Sequence, residues 1–515
     1  MLSLLLRVLL PNNSRRRNKL AYFIDRVRNR RAVSYARNRY NSARQTYYAH
    51  SVAPDQIHQT PLVSIVVPCF NTPQKYFEPL LASIFSQVYQ NWELVLADAS
   101  NQAESTDYLA EKANADTRIK YIKVTNKGIA INTNAAIQHA SGDYIAFLDH
   151  DDTLDPDALS DSMEFFDKNP SYDLVYSDED KLSDDGEYYF QPHFKPDFSI
   201  DMLRNVNYIT HFVVAKRILI DKLKGIRSGF DGAQDYDFLL RVVDCEAKIG
   251  HMPKVLYHWR EADGSTAANF SNKQHVTDAG CRALNDHYKR RNIKNVSARA
   301  IANRPGFYRA IYSSRLDNLK IIINLENTKL LPIERSFIIN RYKTNHDVVK
   351  HNIKVLEVSK AKKVFNEKTL IVNGAFIPAN DKTDLISLFA ISSEESVAGV
   401  APKIVRHGRV YDMGIVNVGD RQEYLFRGVN PNRALCFGSL EWVRNTNDLS
   451  DRACIRTGRT GRFIIWSHCE FVAFSSVNHS NSADQANYYN PNVTELSEIV
   501  EQQNDYVADL IELRK

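Results

Sequence analysis

Short runs of aliphatic and β-branched residues alternate with helical spacings through the first half of the chain. Val63-Ser64-Ile65-Val66-Val67 reads as a strand that Pro68 ends, because proline brings no amide hydrogen to a ladder. Leu80, Leu81, Ile84, Phe85 and Val88 then recur at helical intervals and predict a helix over 77–88. Residues 93–97, 119–124 and 144–148 repeat the strand signal, and 128–140 the helical one. Strands alternating with helices imply an α/β fold, Rossmann-like, with a mostly parallel sheet and helices on both faces. In such sheets ligands collect beyond the carboxyl ends of the strands.

The pattern continues with a helix over 155–169 and a short strand, Leu174-Val175-Tyr176, that ends at Ser177-Asp178-Glu179-Asp180. After a polar loop come an apolar run at 208–214, a helix over 235–243, an extended segment at 255–259 and a helix over 272–291. A first domain closes near Tyr312. Leu319–Leu325 and Thr369–Val372 start a second, smaller α/β domain, and Val493–Arg514 reads as a terminal helix. A chain of 515 residues is too long for one ordinary core, so three segments are expected: an extension and linker over 1–60, a main domain over 61–313, and a second domain over 314–515.

Charge sets the first segment apart. Residues 1–50 hold twelve Lys and Arg against the single acid Asp25, whereas the whole chain carries only +5. The apolar run over 1–10 is shorter than the roughly 20 residues that span a bilayer. It also precedes the cluster Arg15-Arg16-Arg17 instead of following it, the reverse of a signal peptide. An apolar tip beside a polybasic stretch suits an anionic membrane surface, so a cytoplasmic protein, peripheral at the inner face of the membrane, is expected. A tail packed on its own domain is the plainer reading. Six scattered cysteines with no CxxC pair point to reduced thiols and no zinc site. No nucleic-acid module is recognisable, so no nucleic-acid partner is expected.

The chemistry concentrates where a strand ends. Asp149-His150-Asp151-Asp152 places three carboxylates within four residues, and they repel one another unless a cation relieves them. Oxygen donors of this kind suit Mn²⁺ or Mg²⁺ shared with substrate phosphates. Asp152 and Asp155 serve equally well as helix caps. Asp98, ending its own strand, can accept hydrogen bonds from a base or ribose, or merely shape the turn before Ser100. Asp235 and Asp237 stand at a helix start, where an aspartate is a cap or a general base.

Taken in order, several segments resemble glycosyltransferase family 2: residues 63–71, Leu96-Ala97-Asp98-Ala99-Ser100, Asn126-Lys127-Gly128-Ile129 with Asn134, and Phe147-Leu148-Asp149-His150-Asp151-Asp152. Tyr176-Ser177-Asp178-Glu179-Asp180, Gln234-Asp235-Tyr236-Asp237 and Tyr257-His258-Trp259-Arg260 extend the resemblance over 61–313. It implies a GT-A fold, an inverting metal-dependent transferase, a nucleotide-sugar donor, and a glycan or lipid-linked acceptor of bacterial surface polysaccharide. Pro68, Asn71, Asp98 and Lys127 would then line the nucleotide pocket, Asp149 and Asp151 form the DxD pair, and Asp235 act as the catalytic base. His258 and His211 are further candidates for the metal or the acceptor, or ordinary structural histidines. Trp259 stacks on a sugar or belongs to the core; Arg260 reaches phosphate or pairs with an acid. Gln234 replaces a glutamate frequent in the family, and Ala99 a second aspartate.

The second half faintly resembles another copy of the same fold, with Asn373-Gly374 where a DxD would stand, and is read as a degenerate, catalytically silent domain. A non-catalytic nucleotide-sugar or glycan-binding protein is the alternative for the whole chain. A sugar-nucleotide pyrophosphorylase is disfavoured, since Pro68-Cys69-Phe70-Asn71-Thr72-Pro73 replaces a Gly-rich phosphate loop.

Overall fold

The computed structural model describes Tyr40, Arg44, and residues 60–261, 270–301, 304–313, 316–326, 328, 330–358, 366–406, 409–418, 421–424, 444–446, 448–450 and 452–473. The apolar and basic stretch of the extension and the terminal helix expected over 493–514 lie outside the described residues. Among the described residues no helix is long and apolar enough to cross a membrane.

Val63–Cys69 (β1) is buried along nearly its whole length, as a central strand covered on both faces must be. Gln74–Phe85 (α1) returns the chain to Trp92–Asp98 (β2), and Ala103–Ala115 (α2) leads to Ile119–Lys123 (β3). Ile129–His139 (α3) precedes Tyr144–Phe147 (β4) and the two-residue strand Thr153–Leu154 (β5). Ala158–Lys168 (α4), Leu174–Leu182 (β6), Tyr189–His193 (β7), Ile200–Leu203 (α5), Val213–Lys216 (β8) and Arg217–Leu223 (α6) follow. Gln234–Asp244 (α7), Ile249–Arg260 (β9), Phe270–Arg290 (α8) and the hairpin Val296–Ile301 (β10) with Arg304–Tyr312 (β11) complete the first unit.

The main sheet runs β3-β2-β1-β4-β8-β6-β9-β5, with β7 on the flank of β6. Its first four strands are parallel, as the alternating pattern predicts. Beyond them the sheet is mixed, because β8 runs antiparallel to both β4 and β6. The helix over 103–115 escapes the hydrophobic pattern because it buries only Ser105 and Leu109. The acids 178–180, expected to close a short strand, instead stay inside β6. Each has a fixed partner there: Asp178 meets His251 Nε2 at 2.9 Å, Glu179 meets Lys195 Nζ at 3.1 Å, and Asp180 meets His258 Nδ1 at 2.6 Å.

The second unit is a second α/β sheet. It contains Lys320–Asn324 (β12), Pro332–Lys343 (α9), His346–Lys350 (α10), Lys354–Val358 (β13), Thr369–Asn373 (β14) and Phe376–Pro378 (β15). Ile386–Ser392 (α11), Val397–Arg406 (β16), Arg409–Asp412 (β17), Ile415–Val418 (β18) and Arg421–Tyr424 (β19) come next. Arg444–Thr446 (β20), Ala453–Arg456 (β21) and Arg462–Ala473 (β22) end it.

Its strand order, β13-β12-β14-β21-β16-β22-β15 with β17 on β16, repeats that of the first unit strand for strand once β3 is left out. Every pairing keeps its direction: β12 is parallel to β13 and β14, β21 antiparallel to β14 and β16, β22 parallel to β16, and β15 antiparallel to β22. The registers close as well. Leu154, Tyr257, Glu179 and His193 are successive cross-strand partners in the first sheet, and Pro378, Phe471, Ile404 and Asp412 are their counterparts in the second. β20, which pairs with β22, has no counterpart in the first sheet. A single hydrophobic cluster runs from the first unit into the second, joining residues such as Tyr308 and Ala310 to Leu388, Ile391 and Ile464.

Candidate functional site

The loop from β4 to β5 delivers the acidic group to the end of the sheet, and three neighbouring strands supply its partners. Asp152 is fully buried; the Tyr257 hydroxyl and the Arg260 amide, the latter at 2.7 Å, both donate to its carboxylate. Asp149 is 47% exposed at its side chain, and His211 Nε2 lies 3.7 Å from its Oδ2. One donor atom from each of Asp149, Asp152 and His211 lies within 4.8 Å of the others. Two carboxylates and an imidazole at that spacing form a donor set suited to a divalent cation.

The electrostatics point the same way. Burial, then the charges of Asp151 and Asp149, push the Asp152 carboxyl well above its usual range. Asp151 is raised too, mainly by burial, with Asp149 adding to it. At Asp149 burial opposes ionisation, but His211 outweighs it and holds the carboxyl below its usual range. Two of three acids in one loop are thus short of positive charge, the condition a cation relieves.

His211 is itself held from behind. Its Nδ1 lies 3.1 Å from Glu179 Oε2, and its ring stacks on Tyr257 at 4.5 Å between centroids. Glu179 also accepts from Thr210, from the His211 amide and from buried Lys195. Burial opposes the Glu179 charge, but Lys195 and the two histidines carry its carboxyl well below the ordinary range. An acid, an imidazole and a metal-facing nitrogen in line is the arrangement that fixes a ligand's tautomer.

Asp235, the first-turn residue of α7, accepts from Asn207 Nδ2 at 2.8 Å. Its carboxyl is raised, by burial first, with the charge of Asp149 adding to it. Asp237 is not a rival for that role: it is fully buried between Arg227 at 2.6 Å and Arg241 at 2.9 Å.

At the carboxyl end of β2, Asp98 is fully buried and receives Ser100 N, Tyr121 Oη and Lys123 Nζ at 2.7–2.9 Å. Three of its roughly four lone-pair directions are taken. Asn71 ties the loop after β1 to the loop after β2, through Ser100 at 2.8 Å and Asn101 at 2.8 Å. Its φ of +49° is one that asparagine tolerates better than most residues. Pro68 is half-buried beside it at the end of β1, and Lys127 is exposed just before α3.

Residues 64–223 match the family model described as glycosyl transferase family 2. They form a family 2 glycosyltransferase domain. Half of the chain is 39% identical over 261 residues to the uncharacterized protein y4gI of Sinorhizobium fredii. Another match, 37% identical over 275 residues and 53% of the chain, is the O-antigen biosynthesis protein RfbC of Myxococcus xanthus. The chain covers 28% and 21% of the lengths of these two relatives. A mannosyltransferase of Pyrobaculum calidifontis, solved with GDP-Man and Mn²⁺, is 18% identical over 47% of this chain and 70% of its own, with a TM-score of 0.35.

Beyond the matched span, on β9 of the same sheet, His258 is not brought to the Asp149 group. Its ring sits between Asp180 Oδ1 at 2.6 Å and the Arg44 guanidinium at 2.9 Å, on the far side of β9, since neighbouring residues of a strand point to opposite faces. Trp259 is half-buried, its ring 6.2 Å from that of His211. Arg260 is 2% exposed and spends its guanidinium on the carbonyls of Asp151, Ser183 and Asp184, so it shapes the acidic loop from beneath. The sequence pattern includes Tyr257 and Glu179 within larger segments but gives neither a role, and it does not single out Lys195. A signal for them existed only in the run of acids after Tyr176, which has no reason to be buried unless it is held.

Proposed function

We propose that this chain moves a sugar from a nucleotide-sugar donor to a glycan or lipid-linked acceptor, with inversion at the anomeric carbon. The convergence of Asp149, Asp152 and His211, with Asp235 held by Asn207 four residues before His211, carries the reading. Mn²⁺ or Mg²⁺ would be held by Asp149, Asp152 and His211, with Asp151 in the same loop, and would neutralise charge growing on the leaving diphosphate. Asp235 takes the proton from the attacking acceptor hydroxyl, and Asn207 orients its carboxylate. Pro68, Asn71 and the Asp98–Ser100 turn form the nucleotide side, and Lys127 and Trp259 border the donor.

The second unit supports the assignment of one centre only. Counting back along the closed registers, Asn373, Gly374, Ala375 and Phe376 stand for Asp149, His150, Asp151 and Asp152. Arg452 stands for His211, Ile404 for Glu179 and Phe471 for Tyr257. An arginine has no lone pair to offer a metal. We read this unit as a transferase-like frame without catalytic groups.

The relation to an O-antigen biosynthesis protein favours a surface polysaccharide as the product. The basic extension would hold the enzyme at the inner membrane face, and deleting residues 1–35 should then reduce its recovery with membranes. A panel of UDP- and GDP-sugars, read by nucleotide release with Mn²⁺, Mg²⁺ or a chelator, tests the activity. Asp151→Ala and Asp152→Ala should abolish release; persistence of release in both variants and under chelation would sink the metal site.

A further inference from the structure

One stretch of thirteen residues reaches from the second unit to the proposed active site. At its far end Asn207 holds Asp235, Thr210 donates to Glu179, and His211 faces Asp149. At its near end, around α5, it is gripped from outside the first unit. Arg462 Nε donates to Asp201 Oδ2 at 2.6 Å, and Asn445 Nδ2 donates to the same oxygen at 2.9 Å. The Ser199 hydroxyl donates to Asn445 in return, and Arg204 and Arg462 each approach Glu394 Oε2 at 3.4 Å. Asp201 is 7% exposed, so these bonds are made away from bulk water, where charge-assisted pairs are strong.

The remainder of the stretch has little freedom. Asn205 bonds both ways with the main chain of Tyr308 on β11, and Val206 bridges Phe307. Between the grip at Asp201 and the ring of His211 the chain therefore passes through fixed points only. The element that supplies Asn445 is β20, the strand by which the second sheet exceeds the plan of the first. A strand added to the repeated sheet thus touches the first unit here, together with Arg462 of β22.

We propose that the second unit braces the metal-binding edge of the first, with Arg462 and Asn445 as positioning residues that act through Asp201 on Asn207 and His211. This rests on the transferase reading above. It assigns a task to a unit that carries no catalytic group of its own: keeping the 199–211 stretch in register with the acidic loop. Removing the outer support of a metal ligand typically weakens metal binding by about 10-fold or more.

The test compares the full chain with Arg462→Ala, Asn445→Ala and Arg462→Lys. Mn²⁺ affinity is measured by calorimetry without donor, amide exchange is followed over residues 205–212, and thermal melting is run on each protein. Arg462→Ala should raise the Mn²⁺ dissociation constant by about 10-fold and speed exchange at 205–212, with Arg462→Lys recovering part of both. A lowered melting temperature with unchanged Mn²⁺ affinity and unchanged exchange at 205–212 would overturn the proposal, leaving a merely structural contact. Should Arg462→Ala fail to fold, Asn445→Ala decides by the same readings. If the unaltered chain binds no Mn²⁺ and releases no nucleotide, the transferase reading has failed instead.

Discussion

Glu179 Oε2 stands 3.1 Å from Nδ1 of His211 and leaves the other ring nitrogen turned toward Asp149. The acid is itself held by Lys195, so the imidazole cannot turn without breaking a buried network. Glu179→Gln keeps the shape and removes the charge. Mn²⁺ affinity should fall by about 10- to 100-fold, the usual effect of losing a ligand's outer partner. Calorimetric titration checks this, and an unchanged affinity would show that His211 needs no anchor.

Asp235 is raised by burial and by the charge of Asp149. A base works only when deprotonated, so transfer must decline as pH falls through the raised pKa. That limb should lie above the ordinary aspartate value of about 3.9. Asp235→Asn should cut transfer by about 100- to 10,000-fold while donor affinity stays the same. Initial rates across pH, beside donor binding by fluorescence, separate the two effects.

Asp98 shows the opposite shift. Burial opposes its charge, but Ser100, Lys123 and Tyr121 outweigh this and lower its pKa. A carboxyl lowered on folding contributes stability above its unfolded pKa and loses that contribution as pH drops through the folded one. Asp98→Asn should therefore melt below the unaltered protein at pH 7, and the gap should hold down to about pH 5 and narrow below it. A gap that does not change with pH would mean the charge of Asp98 contributes nothing.

Arg44 reaches the family 2 domain from the extension, with Asp155 at 3.0 Å, Asp180 at 3.7 Å and the Tyr189 ring at 3.9 Å. Tyr40, four residues earlier, adds a hydroxyl bond to Asp180 at 2.8 Å. Both carboxylates are nearly inaccessible, at 3% and 0%. Arg44→Ala leaves them without their cation and should cost about 3–5 kcal/mol of stability, as when one partner of a buried pair is removed. Chemical denaturation measures it, and a loss below about 1 kcal/mol, the scale of exposed pairs, would place Arg44 at the surface in solution.

What the sequence disclosed follows the range of each interaction. β1, β2 and β4 and the acidic loop could be read because a buried strand is written in consecutive residues. The loop's chemistry followed from like charges at close spacing. His211 and Glu179 are 32 positions apart, and Lys195 comes from a third segment, so no local pattern joins them. His258 looked equal to His211 as a ligand because spacing does not report which face of β9 a ring occupies. Asp152 passed for a possible cap because the loop can be sketched either way until Tyr257, 105 residues on, meets its carboxylate. The faint second copy was visible at Asn373 through the strand before it. Its full extent emerges from pairings between strands that lie far apart in the chain.

The two sheets also form a comparison that no mutagenesis series could arrange. Where the first carries Glu179 and Tyr257, the second carries Ile404 and Phe471, residues that fill the same places and ask for no hydrogen bond. Ile404 and Phe471 are 1% and 0% exposed. At these two places the second scaffold is apolar where the first holds a buried carboxylate and a hydroxyl. Carrying that apolar pair into the first sheet, as Glu179→Ile with Tyr257→Phe, would leave buried Lys195 without its acid and Asp152 without its hydroxyl donor. The first scaffold should then lose stability unless Lys195 and Asp152 are made apolar with it.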